Sequence, residues 1–169
     1  MKLSEHLTSS NALTLSHSNK LDDLRLTEHF KLSEFTRSAT AVARKIDNAP
    51  SQEVISNLKA LCQNVLEPLR AFAGQPIIIG SGYRSPALNK AVGGAKNSQH
   101  MTGEAADIRL PDLATGRKWF LWMMDNLQFD QLIMEKSTFS STRYWIHVSF
   151  SRNHCRQQVI QNLVKHPNG

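Results

Sequence analysis

The sequence predicts an α+β domain, in which a small antiparallel sheet is flanked by helices. A helical stripe of apolar residues runs through the first half of the chain, and two apolar runs joined by a short polar turn follow in the second half. Strands joined by so short a turn pair antiparallel. A parallel sheet would require a repeated β-α-β pattern, and the sequence does not show one. The 169 residues suffice for one domain with one core.

The predicted helices of the first half begin after Leu32. Residues 33–44 fit one or two short helices, and Ser51 is of a residue type that caps helix N-termini. After Ser51, apolar residues recur at spacings of three, four and seven, which is typical of a helix with one buried face. These residues are Val54, Ile55, Leu58, Leu61, Cys62, Val65, Leu66, Leu69 and Phe72. Pro68 is expected to kink this helix or to begin its last turn, and Gly74 to end it.

The second half alternates short apolar runs with two helical segments. We expect strands at residues 76–79, 104–110, 131–136 and 143–150. We expect helices at residues 86–92 and 113–127, and the large apolar side chains of the second helix belong to the core. Residues 156–163 fit either a strand or a helix.

The two ends of the chain differ in composition from its middle. Residues 1–26 are rich in Ser, Asn, His and Thr without a sustained period. We therefore expect an N-terminal extension at residues 1–26, a folded domain at 27–164 and a tail at 165–169. Residues 1–18 hold no continuous apolar segment, so we expect no secretory signal. Synthesis in the cytoplasm and release by another route, such as phage-type lysis, is the corresponding expectation.

The balance of charge narrows the set of partners. Twenty Lys and Arg residues stand against 14 Asp and Glu, which gives a net charge of +6. A basic surface favours anionic partners such as nucleic acid, anionic lipid or a cell-wall polymer, but the basic residues are scattered and form no run of five. We expect a monomer with no nucleic-acid partner. We also expect no membrane span, because no apolar run approaches about 18 residues.

One short segment and one later histidine carry the clearest chemistry. His100 and Asp107 lie seven residues apart around a glycine turn that leads into a predicted strand, and His147 lies in the middle of a later strand. Two imidazoles and one carboxylate leave one coordination position open, which suits a catalytic zinc ion. Taken singly, each His also fits a structural role and Asp107 fits a turn. Cys62 and Cys155 are too few for a zinc site built on cysteines.

Three motifs, in this order along the chain, resemble one family. Residues 81–89 match S-G-Y-R-S-x-x-x-N, residues 98–107 match S-x-H-x-x-G-x-A-x-D, and His147 stands in W-x-H. The combination resembles the zinc D-Ala-D-Ala carboxypeptidase family, which includes dipeptidases and phage L-alanyl-D-glutamate endolysins. The resemblance implies a small antiparallel sheet with a zinc site on it. It also implies a peptidase that cuts at D-amino acids in peptidoglycan stem peptides, as a carboxypeptidase or an endolysin-like endopeptidase.

The resemblance also implies roles for individual residues. The residues that match the family's metal ligands are His100, Asp107 and His147. Arg84 matches an arginine that contacts the substrate carbonyl or carboxylate, a task that suits a permanently charged guanidinium with a fork of donors. Ser98 is expected either to position the substrate or to orient the first ligand, and a plain turn fits it equally well. Tyr83, beside Arg84, is expected to contact the substrate.

The general base is the point at which this chain departs from the pattern. Better-known members carry Glu or Asp three residues before the second histidine, and this chain has Tyr144 there. Glu135 is the best substitute, because antiparallel pairing of residues 131–136 with 143–150 would bring it towards His147 on one face. A Glu here also resembles the phage-type branch, although a surface Glu at a strand end fits too. If no base is present, the alternative is a catalytically inactive zinc-bearing binding module of the same fold.

Overall fold

The computed structural model describes residues 24–137, 140 and 142–161. Most of the predicted N-terminal extension at residues 1–26 and the predicted tail at 165–169 therefore lie outside the described residues. Within the described part, Leu26 is already buried in the core.

Helices and strands follow one another largely as the sequence predicts. The helices are α1 (Leu32–Thr36), α2 (Ala39–Arg44), α3 (Gln52–Leu61), α4 (Glu67–Ala73), α5 (Pro86–Ala91) and α6 (Leu113–Asn126). The strands are β1 (Ile78–Ser81), β2 (Ala105–Arg109), β3 (Gln131–Lys136), β4 (Tyr144–Ser149) and β5 (Gln158–Gln161). A 3-10 helix at Gln99–Thr102 precedes β2. No helix of the described ranges is both long enough and apolar enough to cross a membrane.

The junction between α3 and α4 is a π-helical turn at Cys62–Leu66. The backbone N–H of Glu67 donates to the carbonyl of Cys62, five residues earlier. Pro68 accounts for this widened turn, because it has no N–H to donate and its ring collides with the carbonyl four residues earlier in a regular α-helix. Gly74 then ends α4 with a left-handed φ of 64°. The sequence therefore predicts both the interruption and the end of this helix correctly.

The described strands form one sheet in the order β1-β2-β4-β3-β5. The pairs β1–β2, β2–β4 and β3–β4 are antiparallel, whereas β5 lies parallel to β3 at the edge. Within the segment 156–163, which the sequence alone leaves open between strand and helix, Gln158–Gln161 form strand β5. The predicted α+β class is confirmed, with one parallel pair added to the antiparallel sheet.

The sheet has one apolar face and one polar face, because successive side chains of a strand point in opposite directions. The apolar face packs against the helices. Its buried residues include Ala106, Ile108, Leu132, Met134, Ile146 and Val148. Helix α6 covers this face with its buried Trp119, Phe120 and Met123, as its apolar sequence predicts. The opposite face is left for polar side chains, and the residues with metal-binding chemistry lie there.

Candidate metal centre

The three predicted donors come together on the polar face of the sheet. Asp107 in β2 lies directly opposite His147 in β4 in the antiparallel register, so both side chains project from the same face. His100 reaches the same point from the 3-10 helix that precedes β2. Of the described residues, only His100, Asp107 and His147 form a group of at least three metal-binding side chains with converging donor atoms.

The distances between the donor atoms fit a metal ion. The Oδ1 atom of Asp107 lies 2.9 Å from Nδ1 of His147 and 3.3 Å from Nε2 of His100. In a tetrahedral zinc site with bonds of about 2.0–2.1 Å, neighbouring donors are roughly 3.3 Å apart. Three protein donors of this kind leave the fourth position for water or substrate, as in catalytic zinc sites.

His100 is held with one ring nitrogen towards the site. Its Nδ1 atom donates to the carbonyl oxygen of Gly82 at 2.6 Å, so Nε2 is the nitrogen that faces Asp107. The same residue packs tightly against helix α1, because a Cβ atom at position 82 would lie 2.7 Å from backbone and side-chain atoms of Phe35. The S-G-Y-R-S segment therefore lies between helix α1 and the turn that carries His100, and its carbonyl at Gly82 orients the His100 ring.

Asp107 remains anionic because it has partners for both oxygens. Its Oδ1 faces the two histidines, and Arg84 Nη2 lies 3.3 Å from its Oδ2. Burial raises the pKa of Asp107, but hydrogen bonds from His100 and His147 outweigh burial and hold the pKa far below its usual range. A carboxylate that stays charged is available as a metal ligand at neutral pH.

Arg84 is fixed at the wall of the site by three side chains. Besides Asp107, its guanidinium donates to Ser81 Oγ at 3.2 Å and to Asn89 Oδ1 at 3.4 Å. Asn89 is itself buried and donates to the carbonyl of Ala95. The Asn of the S-G-Y-R-S-x-x-x-N motif thus orients the arginine of the same motif.

Glu135 lies in the same cleft as the three donors. Strands β3 and β4 pair antiparallel as the sequence predicts, with Ile133 opposite His147 and Glu135 opposite Trp145. A cleft of about 450 Å³ is lined by Glu135, Arg84 and all three donors, among other residues; we call it the catalytic cleft. Burial, followed by the negative charge of Asp107, raises the pKa of Glu135, and the neighbouring cations offset this rise only in part.

The two remaining predicted substrate contacts lie in different places. Ser98 lines the catalytic cleft and caps the 3-10 helix, where its Oγ accepts the backbone N–H of His100 at 3.4 Å. This contact matches the expectation that Ser98 orients the first ligand. Tyr83 is buried and lines a neighbouring cleft of about 750 Å³, together with Arg84, rather than the catalytic cleft. Both roles stay predictions.

Sequence reasoning missed one polar cluster next to the donors. Asp130 is only 1% exposed, and its two oxygens accept from Arg156 Nε at 2.7 Å and Nη2 at 2.8 Å and from Gln99 Nε2 at 2.9 Å. Gln99 and Arg156 both line the catalytic cleft. The sequence carries no signal for this cluster, because its members are far apart in the chain and Gln99 stands at a variable position of the ligand motif.

Comparison with known proteins agrees with this geometry. A model of the family described as Peptidase M15 matches residues 28–149, which is more than half of the chain and contains all three donors. Zinc D-Ala-D-Ala carboxypeptidase of Streptomyces albus G is 50% identical over 38 residues, or 22% of this chain. That stretch is only 15% of the relative's own length.

The cofactor prediction can now be judged together with the family. The two histidines and one aspartate are a zinc-type donor set whose donor atoms lie within 4.8 Å of one another, and the expectation of zinc as the cofactor is confirmed. The family model covers the whole of this donor set and both loops that orient it. We conclude that the chain belongs to the peptidase M15 family.

Proposed function

We propose that this protein is a zinc-dependent peptidase that hydrolyses peptide bonds at D-amino acids in peptidoglycan stem peptides, as a carboxypeptidase or an endolysin-like endopeptidase. The observation that carries the proposal is the position of Glu135. This carboxylate lines the catalytic cleft with the three donors but does not belong to their group, so it is available for proton transfer. The named relative, a zinc D-Ala-D-Ala carboxypeptidase, supports the substrate class.

Zinc held by His100, Asp107 and His147 would supply a Lewis acid that lowers the pKa of a water molecule and polarises the scissile carbonyl. Glu135 takes the proton of the attacking water and delivers it to the departing amine. Its raised pKa suits this task, because a general base works best when its pKa lies near the working pH. Its half-buried position within the cleft keeps the proton transfer away from bulk solvent.

Arg84 supports the reaction through its fixed positive charge. Its guanidinium borders the catalytic cleft and is held by Ser81, Asn89 and Asp107, so it does not need to reorganise when negative charge develops on the carbonyl oxygen. Ser98 holds the turn that carries His100. Tyr83 contacts a part of the substrate that extends into the neighbouring cleft beside Arg84.

A second function, that of a zinc-bearing binding module without turnover, rests on Tyr144. This residue occupies the position at which better-known members carry an acidic base. It lines a cleft beside the donors that does not include Glu135. Glu135 favours the enzyme over the binding module, because a module that only binds needs no additional carboxylate at the metal.

The test is an assay of the zinc-loaded protein on purified peptidoglycan, with and without a chelator, in which released fragments are identified by mass spectrometry. We expect release that stops when zinc is removed and resumes when it is restored, and the fragment masses identify the bond. A Glu135→Gln variant with full zinc content serves as the matched control. Absence of release from the zinc-loaded wild type would reject the enzyme in favour of the binding module.

A further inference from the structure

A second cleft adjoins the catalytic cleft on the side of β1 and β2. This cleft of about 640 Å³ shares Asp107 and Trp145 with the catalytic cleft, so the two clefts adjoin at these residues on the polar face of the sheet. Arg109 and Arg143 line the second cleft, which we call the basic arm. We refer to the two adjoining clefts together as the groove.

The register of the sheet fixes the order of charges along this groove. Arg109 in β2 lies opposite Trp145 in β4, and Trp145 lies opposite Glu135 in β3. Adjacent strands are about 4.8 Å apart, so the backbones of Arg109 and Glu135 lie roughly 10 Å apart with Trp145 between them. A peptide of a few residues that lies over Trp145 spans this distance. The acidic Glu135 therefore lies on one side of Trp145, and the basic Arg109 lies on the other.

The arginines of the basic arm are not neutralised by the protein, in contrast to those of the catalytic cleft. Arg84 is paired with Asp107 and Arg156 with Asp130. Arg109 and Arg143 form no ion pair with any residue of the described ranges, and both are exposed. Among the described residues that line the basic arm, Asp107 is the only acid, and its oxygens already face the two histidines and Arg84.

Arg109 is also positioned by packing. Its side chain lies across Gly80, so closely that a Cβ atom at position 80 would lie 3.1 Å from Cγ of Arg109. Gly80 lies between Ile79 and Ser81, which both pair with β2, at an irregularity of that pairing. Because Gly80 has no side chain, the aliphatic part of the Arg109 side chain packs over it. The guanidinium of Arg109 makes no hydrogen bond with the described residues.

We infer that the basic arm binds a carboxylate of the substrate and that Arg109 and Arg143 set a preference for acidic stem peptides. The inference rests on the proposed function, because it assigns the direction in which the substrate lies at that site. A guanidinium recognises a carboxylate through parallel N–H donors, and two such groups without internal partners favour an anionic ligand over a neutral one. Stem peptides supply two candidates, the free carboxylate of D-Glu and the carboxylate at the C-terminal D-Ala.

The experiment uses three synthetic stem pentapeptides that end in D-Ala-D-Ala. One carries both carboxylates, one has the D-Glu carboxylate amidated, and one has the C-terminal carboxylate amidated. kcat/KM is measured at low ionic strength for the zinc-loaded wild type, Arg109→Gln, Arg143→Gln and the double variant. Arg117→Gln is the matched control, since Arg117 is an exposed arginine of α6, on the helix that packs against the opposite face of the sheet.

We expect each single variant to lose about fivefold and the double variant about twentyfold in kcat/KM on the fully acidic peptide, mainly through KM. On one of the two amidated peptides the wild type should already show this loss, and the arginine variants should add little to it. That peptide identifies the carboxylate in the arm. Equal losses on all three peptides, or losses no larger than those of Arg117→Gln, would overturn the inference. Absence of turnover by the zinc-loaded wild type on every peptide and on whole peptidoglycan would instead reject the proposed function.

Discussion

At the scale of single residues, the two carboxylates on the polar face of the sheet differ in the direction of their pKa shifts. Asp107 is surrounded by two histidines and an arginine, and its pKa is far below the usual range, so it stays a carboxylate. Glu135 lies nearby, but burial and the charge of Asp107 raise its pKa. The surroundings thus shift the pKa values of two carboxylates in one cleft in opposite directions, which fits the different tasks that we propose for them.

The task of Glu135 can be tested by removing its charge with little change of shape. We expect Glu135→Gln to retain zinc and the fold but to lose at least about a hundredfold in kcat, because general-base catalysis contributes about 10²–10⁴-fold. Turnover on peptidoglycan and zinc content by elemental analysis are measured on the same preparation. Near-normal turnover would assign the base to another group.

The role of His147 as a ligand is separable from its role in the fold. We expect His147→Ala to lose bound zinc after dialysis, since it removes one of three protein donors. His154→Ala is the control, because His154 is exposed and does not belong to the donor group. The increase in Tm on zinc addition should persist in His154→Ala and vanish in His147→Ala. A full zinc complement in His147→Ala would contradict the ligand assignment.

At the scale of elements, the strands β2 and β4 hold Asp107 opposite His147, and a short turn brings His100 to them. The 3-10 helix that carries His100 ends at Gly103, where φ is +74°, and β2 follows with Asp107. Gly103 also presses on α3, since a Cβ atom there would lie 2.7 Å from the carbonyl oxygen of Val54. The glycine thus allows the turn and the close packing of α3 at the same position.

These two demands on Gly103 can be distinguished with a second glycine. Gly93 has a similar φ of +72°, but a Cβ atom at position 93 would meet nothing within 4 Å. Gly93→Ala should therefore lower the free energy of unfolding by about 1 kcal/mol, from backbone conformation alone. Gly103→Ala should lower it by about 2–4 kcal/mol, because overpacking is added. Urea titrations at equal zinc concentration measure both values. Equal losses would show that α3 can move away from a Cβ atom at position 103 without lowering the free energy of unfolding.

At the scale of the whole molecule, Asp130 connects parts that are distant in the sequence. It precedes β3, accepts hydrogen bonds from Arg156 just before β5, and accepts one from Gln99 in the 3-10 helix. The edge strand β5 and the turn of the first ligand are therefore tied to the same buried carboxylate. Hydrogen bonding by Arg156, more than any other effect, lowers the pKa of Asp130 to about 2.

This lowered pKa predicts how stability changes in acid. A carboxyl group with a pKa below its unfolded value of about 3.9 stabilises the fold above that pH, and the contribution is lost as pH falls towards about 2. The contribution of Asp130 is at most about 2 kcal/mol, because the Arg156 side chain is 46% exposed and solvent screens the pair. Chemical denaturation of the metal-free wild type and of Asp130→Asn between about pH 5 and about pH 2 measures it. The difference in stability between the two should shrink as pH falls, and a constant difference would contradict the prediction.

The sequence by itself determined most of the helix and strand positions, because these depend on interactions between residues that are close together in the chain. Helices and strands were predicted within a few residues, because their signals depend on neighbours in the chain. These signals are the cap at Ser51, the interruption at Pro68, the end at Gly74 and the alternation of apolar residues in β3 and β4. The ligand motif is also local in part, because Gly103 turns the chain between His100 and Asp107.

Only the tertiary structure decided the contacts between distant segments. Four features depend on which segments lie side by side in the fold. They are the parallel edge strand β5, the carbonyl of Gly82 that orients His100, the Asp130 cluster and the charge of Arg109, which is unpaired among the described residues. Sequence spacing does not encode these neighbours, because packing of the whole sheet sets them. The sequence therefore determined which groups could hold zinc, and the fold decided how those groups are oriented and which charges line the groove beside them.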